Sequence, residues 1–494
     1  MNAQIIVIIL YFLLIVCATF WGVRKNIKTL TKGGDYGSET FRAGGRVGSI
    51  ALAVLVSAGT ISTGTFIACV GKSAAYGPGY MLLLLYIIPL TFCILITTGK
   101  RMAIVGNRIS ANSLIDFFDA RYDSSKLVVA LAVICAVVFS LTSAAGEFVG
   151  GSRVIEYSSG IPYRLSLIVF AVIIVLYTAL GGMTGVSIVG IIQGFVMTFG
   201  SLILLFGYMS HFGSIGNIFS ELGTIDPALL TPNLGGAIPL IAIFEFWTMY
   251  SITCGSLPWV AQGTLTYNNT KTLRRAMIIG VIMLLFWNVF FAIFGGAAAR
   301  AFDPALNDTM IDYATANLTT GVLPGSLGGV VLAAAAGAGQ STIGAIFIFC
   351  TGTIVNSVYK KYFKPDATDK ELKKVTIITT IAICTFTLAV ALAEPSTLHL
   401  LLNFAQGGCA CSIFPALILG IYWPRTTKQG AAVGMIFGMI FYCLNYSFDF
   451  GIGILHSAPM IITLPITILI MCFVSKATAK PSKDVVKTFY CEIK

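Results

Sequence analysis

Charge is what this chain lacks most. Only 10% of its 494 residues are Asp, Glu, Lys or Arg, against about a quarter in soluble domains. Histidine is scarcer still: His211, His399 and His456 are the only three, scattered along the chain, which argues against a histidine metal centre. Paired catalytic carboxylates, histidine clusters and a Ser-Lys dyad near a span midpoint are all missing, and an intramembrane enzyme goes with them. No loop is long enough for a soluble domain. The twelve cysteines fall mostly inside apolar segments at irregular spacing, and Cys409-x-Cys411 has neither metal nor redox spacing, so they read as small core residues.

What is present is apolar sequence: 57% hydrophobic residues and a mean hydropathy of +0.90. Thirteen apolar segments emerge, roughly 4–23, 47–70, 78–98, 126–149, 165–182, 186–208, 236–256, 276–297, 327–357, 374–393, 398–422, 429–447 and 452–474. Their lengths match the ~20 residues a bilayer crossing requires, with the long ninth leaving room for tilt or extramembrane turns. Of the 31 lysines and arginines, 27 fall in alternate connections and in the tail, leaving Lys72, Arg153, Arg164 and Arg300 on the other side. That segregation explains the net charge of +11 without nucleic acid. It predicts an all-α, multi-pass cell-membrane protein with its N-terminus outside and its C-terminus cytoplasmic. The first segment has no basic residue before it and Arg24-Lys25 after it, the pattern of a retained span rather than a cleaved signal. Connections 209–235 and 298–326 read as turns, marked by Asp226-Pro227 and Thr231-Pro232-Asn233. The tail 476–494 reads as a solvated basic segment at the inner leaflet.

One segment is built against the grain. Ser57-Ala58-Gly59-Thr60-Ile61-Ser62-Thr63-Gly64 puts two glycines and four hydroxyls at the middle of an otherwise apolar, uncharged span. Irregular backbone at that depth survives only where it lines a buried or watered cavity, and interrupted spans mark the binding sites of secondary transporters. A second interruption is expected at Tyr250–Pro258. The two open sets of five spans in opposite orientation, 47–208 and 236–422, which is the layout of inverted repeats with broken first helices in the LeuT architecture.

The ninth segment carries Ala338, Ser341 and Thr342, spaced to share one helical face. One freed carbonyl and two hydroxyls there, with carbonyls of Ala58 and Ile61 from the broken span, make five neutral oxygens suited to Na⁺. Serine and threonine in spans also bond back to their own helix or mediate helix packing, and spacing leaves that reading open.

At these residues the chain resembles the sodium:solute symporter family, and within it the sodium/pantothenate branch. The resemblance spans nearly the whole chain. It rests on Ile61-Ser62…Phe66-Ile67, Phe148-Val149-Gly150-Gly151-Ser152-Arg153 with Gly160-Ile161-Pro162-Tyr163, and Leu176-Tyr177-Thr178-Ala179-Leu180-Gly181-Gly182. Gln193-Gly194-Phe195-Val196-Met197, Thr224-Ile225-Asp226-Pro227…Thr231-Pro232, Ser341-Thr342, Tyr359-Lys360 and Tyr422-Trp423-Pro424-Arg425 continue it. It implies a LeuT-like fold of about thirteen spans and a sodium site at Ala58, Ile61, Ala338, Ser341 and Thr342. For the solute it points to Ser62, Thr65, Trp247, Tyr250 and Gln406. The family's acidic position after its Gly-Gly motif is Gly190 here, preceded by Val189, and two further hydroxyl positions are Gly344 and Ala345. In some members those donors accompany a second sodium, so one Na⁺ per cycle is expected.

Two acids lie in spans. Glu147 ends the fourth, within reach of the outer interface. Glu245 lies in the seventh, where it either snorkels or serves the solute. The expected function is Na⁺-coupled symport of a small organic solute, pantothenate or a related carboxylate, with no obligate protein partner. Proton coupling, an amino-acid or zwitterionic solute, and a non-transporting sensor are the alternatives.

Overall fold

The computed structural model describes residues 3–31, 35–43, 47–83, 85, 87–251, 257–263, 265, 269–306, 311–393, 398–448 and 458–490. His456 and residues 252–256 of the second expected interruption lie outside the described residues, as do the side chains of Ala58 and His399. Among the described residues the chain is helix and connection, without strands.

A long α1 (Ala3–Leu30) leads to the short α2 (Tyr36–Arg42). The second expected span is divided into α3 (Ser49–Thr60), a π-helical stretch Gly64–Cys69 and α4 (Val70–Tyr76). Helices α5 (Pro78–Leu83) and α6 (Ile87–Ile94) cover the third, and α7 (Lys100–Arg108) and α8 (Leu114–Arg121) the basic connection after it. Then come α9 (Lys126–Ser159), α10 (Tyr163–Phe212), α11 (Ile215–Ile225), α12 (Leu240–Ser251) and α13 (Pro258–Gly263). A π-helical stretch Trp287–Ile293 joins α14 (Thr270–Phe286) to α15 (Phe294–Phe302), followed by α16 (Ala314–Val322) and α17 (Gly325–Gly352). The chain closes with α18 (Asp369–Ala391), α19 (Leu398–Tyr422), α20 (Lys428–Ser447), α21 (Pro459–Ala477) and α22 (Lys483–Tyr490).

Nine helical stretches among the described residues are long and apolar enough to cross a membrane, fewer than the thirteen expected. The difference has local causes. The second and third spans are divided into shorter helices, and α12 has only 12 residues. Two expected spans run together as the 50-residue α10, which breaks at Gly182 (φ 55°, ψ −159°). Only glycine enters that region freely, and a Cβ there would come 2.8 Å from the carbonyl oxygen of Thr40.

Helix α17 is the axis of the molecule. Its apolar window is buried throughout, and it packs against α1, α9 and α10. Its Ala333–Ala338 run and glycines let those neighbours close in, the usual device where lipid supplies no hydrophobic drive for helix association. Phe206, Leu240, Leu469 and Phe473 are among the most exposed side chains, which is the surface lipid calls for.

The connections hold more helix than their composition indicated. Ser214 caps α11 through the amide of Asn217, so part of 209–235 is helical rather than turn, and α16 lies within 298–326. The tail is not simply solvated. Phe489 of α22 is buried edge-on against Phe117, 5.1 Å between centroids, and the Tyr490 hydroxyl donates to the carbonyl of Gly420 at 2.5 Å. The face bearing the basic connections is cross-tied: Arg42 donates to the Ala111 carbonyl (2.9 Å), and Ser357 to Asp116 (2.9 Å). Thr368 and Glu371 form a capping box at the start of α18, where Lys364 draws the Glu371 carboxyl down to about 2.

Candidate functional site

The interruption falls where short polar side chains compete with the helical ladder. α3 stops at Thr60, and Ile61 is extended (φ −102°, ψ 121°). Restarting a helix leaves amide donors without partners. Ser62 Oγ accepts from the amide of Gly64 at 3.0 Å. Glu147, on α9, accepts through one oxygen from both the amide (2.9 Å) and the hydroxyl (2.7 Å) of Thr63. Glu147 is 1% exposed, so it does not reach the outer interface; its carboxylate caps the restarted helix. Glycine makes room for this. A Cβ at Gly339 of α17 would lie 2.6 Å from Thr63 Cγ2, and one at Gly150 of α9 would lie 2.8 Å from Thr63 Cβ.

Most threonines in the bundle do what the simpler reading holds. Thr376, Thr387 and Thr463 each donate to the carbonyl four residues back. Thr342 does more, since its hydroxyl lies 3.3 Å from the Ala338 carbonyl and 3.4 Å from that of Ile61 across the break. Ser341 Oγ donates to the same Ala338 carbonyl at 2.8 Å. Two carbonyls and two hydroxyls from segments distant in sequence therefore converge at one buried point. Ala58 lies in the last turn of α3. A hydroxyl carries one proton and two lone pairs, so these oxygens can exchange their mutual hydrogen bonds for a hard cation. Among the described residues no group of three or more His, Cys, Asp or Glu could hold a metal ion.

Beside this point, Gln340 Oε1 accepts from the Tyr11 hydroxyl (2.7 Å) and from Gln193 Nε2 (3.3 Å). The Tyr177 hydroxyl donates to the Gln340 carbonyl. One turn past the Ser341–Thr342 pair, a Cβ at Gly344 would meet Tyr177 Cε2 at 2.8 Å. The tyrosine ring fills that space.

The solute candidates divide. Ser62 and Thr65 belong to the break, where the Thr65 amide donates to the Ser62 carbonyl at 2.9 Å. A Cβ at Gly64 would meet Leu402 of α19 at 3.1 Å, so α19 faces the restarted helix. Tyr250 of α12 stacks on Phe246 (5.2 Å, 15°) and donates to Asn403 Oδ1 of α19 at 2.8 Å. Gln406 follows Asn403 by one turn, with its Oε1 buried and without a hydrogen-bond donor among the described residues. These four candidates therefore lie on three elements that meet. For Trp247 and Glu245 the described contacts are with other groups. The Trp247 ring lies 6.3 Å from that of Phe244, an exposed residue. Glu245 accepts from the amide of Met460 (3.3 Å) in the first turn of α21, where a carboxylate complements the helix dipole. Asn403 and the Thr63–Glu147 contact were not foreseen. Asn403 had a visible signal as a polar residue one turn before Gln406; the Glu147 pairing had none.

Similarity to known proteins shows the family and the fold. The model of the sodium:solute symporter family matches residues 40–438. The chain is 31% identical to the sodium/pantothenate symporter of Escherichia coli (strain K12), over 90% of this chain and 91% of that protein. It is 27% identical to the osmoregulated proline transporter OpuE of Bacillus subtilis (strain 168), over 74% and 75%. The structure of a Na⁺-coupled sialic acid symporter in a substrate-bound outward-open state shares the fold, with a TM-score of 0.78, 18% identity, and coverage of 98% of this chain and 99% of that one. Its relatives and structural neighbours are transporters rather than enzymes. A broken helix facing a buried Ser-Thr pair, within an all-helical membrane bundle and a family match over most of its length, has one consistent reading: this chain belongs to the sodium:solute symporter family.

Proposed function

We propose that this protein imports a small organic carboxylate, pantothenate or a close relative, together with one Na⁺ per cycle. The Thr342 hydroxyl carries the reading. It meets the Ile61 carbonyl across the break while sharing the Ala338 carbonyl, so a cation held there ties α3 to α17. Sodium then favours the conformation in which both helices face the pocket, by as much as its affinities for the two states differ. Ala58 supplies the fifth oxygen. A cage without a carboxylate binds weakly, which suits an ion that must be released on the far side. Tyr177, filling the space at Gly344, supports a single sodium.

The basic connections belong on the cytoplasmic side of the cell membrane by the positive-inside rule, with the N-terminus outside. The two five-span sets, 47–208 and 236–422, act as inverted repeats whose relative rocking exposes the pocket to each side in turn. Ser62, Thr65, Tyr250 and Gln406 form the solute side. Glu245 is assigned the α21 cap and Trp247 a place at its edge.

Magnitudes constrain the stoichiometry. A tenfold sodium gradient is worth about 1.4 kcal/mol, and one charge moving through the membrane about 2.3 kcal/mol per 100 mV. A monoanion carried with one Na⁺ is electroneutral, so only the first term drives it, giving roughly tenfold accumulation. A zwitterion with one Na⁺ would use both terms and carry current.

The test is uptake of labelled pantothenate into proteoliposomes under an imposed sodium gradient, for wild type and Thr342→Ala. Sodium-dependent, current-free uptake in the wild type, reduced at least a hundredfold in the variant, supports site, ion and solute together. Sodium-dependent thermal stabilisation that Thr342→Ala abolishes, without pantothenate uptake, keeps the symporter and rejects the solute. An inward current accompanying pantothenate rejects the one-sodium stoichiometry, and indifference to sodium in both readouts rejects the ion.

A further inference from the structure

Lys72, in α4, is 5% exposed. Among the described residues no carboxylate lies within ion-pairing distance of it. Its ammonium instead sits 3.8 Å from the centroid of the Phe246 ring. A buried ammonium is costly unless it is paired, and an aromatic face is a weaker counterpart than a carboxylate. The nearest acid in the sequence of α12, Glu245, is committed to the amide of Met460. The groups that face Lys72 are Cys69 and the Phe246 ring, and both belong to an apolar cluster with Tyr76, Tyr80, Met81 and Ile243.

Position gives this cation a use. Lys72 follows Thr65 by seven residues on the restarted helix, with its ammonium against Phe246 of α12. Its aromatic partner Phe246 stacks on Tyr250, and Tyr250 is bonded to Asn403, one turn from Gln406. A line of contacts thus runs from one unpaired cation to a group of neutral hydroxyl and amide side chains.

We propose that Lys72 is the counter-charge for the carboxylate of the transported solute, with the Phe246 ring holding its place until the solute arrives. This deepens, and rests on, the carboxylate reading above. The ligand class is a monocarboxylate with amide or hydroxyl groups at the end away from the carboxylate: the anion meets Lys72 and the neutral end meets Tyr250, Asn403 and Gln406. Displacing Phe246 from the ammonium disturbs its stack on Tyr250, so recognition of the charge is felt at the α12–α19 contact.

The full-length protein in proteoliposomes tests this with two probes that differ at one group, pantothenate and its alcohol analogue pantothenol, in wild type, Lys72→Met and Lys72→Arg. Wild type should prefer pantothenate at least tenfold in KM. Lys72→Met should raise the pantothenate KM at least tenfold and leave the pantothenol KM unchanged, and Lys72→Arg should restore most of the preference. Sodium-dependent thermal stabilisation should persist in both variants, reporting an intact fold and ion site. An unchanged pantothenate KM in Lys72→Met, or an equal loss for both probes with the sodium response retained, overturns the proposal. If Lys72→Met loses the sodium response, Lys72→Arg decides: a retained fold without carboxylate preference overturns it. If wild type transports neither probe, the pantothenate reading fails separately. Lys72 is then judged by thermal shifts with propionate and lactate. A shift lost in Lys72→Met upholds the counter-charge, and no shift in wild type overturns it.

Discussion

At Ile61–Thr63 the interrupted helix presents carbonyls and hydroxyls, and the amides of Thr63 and Gly64 already have partners in Glu147 and Ser62. Farther along the same helix, Lys72 presents a full charge whose counterpart is a ring. The first region is hydrogen-bonded around the Glu147 carboxyl and tightly packed, with glycines at 150 and 339 admitting Thr63. The second is a line of contacts from the Lys72 ammonium through the Phe246 and Tyr250 rings to Asn403, one turn from the Gln406 carbonyl, with unsatisfied capacity at both ends. A cage of saturated neutral oxygens can take up a cation and release it, while an unpaired buried cation selects for an anion. Ion binding and recognition of solute charge are therefore separable along one helix, and each can be disturbed without the other.

The largest separation should come from Glu147→Ala. It removes the acceptor of both the amide and the hydroxyl of Thr63, and leaving buried donors unpaired costs about 1–3 kcal/mol each. The expected result is a clear fall in Tm and a sodium affinity weakened at least tenfold, measured by sodium-dependent thermal shift. Unaltered sodium affinity would mean that the ordering of the break does not govern the ion site. A smaller and opposite pattern is expected from Tyr250→Phe, which removes only the hydrogen bond to Asn403. A net hydrogen bond of about 1 kcal/mol corresponds to a solute KM raised roughly fivefold, with sodium affinity unchanged; a shift in sodium affinity instead would erase the distinction between the regions. Smallest of all should be Glu245→Gln, which keeps an acceptor for the Met460 amide and loses only the charge at the start of α21. A loss of about 0.5 kcal/mol of stability and an intact sodium-driven uptake are expected. Abolished uptake would make Glu245 a proton or solute carrier rather than a cap.

How legible each part was follows from the range of the interactions. The break could be read because its causes are local: Gly59, Ser62, Thr63 and Gly64 weaken the helix where they stand. The Ser341–Thr342 face could be read because helical spacing is a property of consecutive residues. The expected boundary between 165–182 and 186–208 falls at the break in α10 at Gly182, but composition does not show that the two helices meet there without an intervening loop. Nor could the two acids be told apart. Both sit in apolar spans, and their roles depend on Thr63, 84 residues from Glu147, and on Met460, 215 residues from Glu245. The helices hidden in 209–235 and 298–326, and the docking of α22, were missed because short amphipathic segments are stabilised by what they pack on rather than by their own propensity.

By itself the sequence determined that this is a helical membrane protein with an interrupted second span. In lipid every backbone polar group must be satisfied within the chain, so apolar length and charge segregation leave few alternatives. Tertiary structure alone decided which buried polar group meets which. Where water is excluded, each such group must take its partner from whatever the packing of α9, α12, α17 and α19 brings within hydrogen-bond reach. It brought Thr342 to Ile61, Glu147 to Thr63 and Tyr177 to Gln340, and to Lys72 it brought a ring.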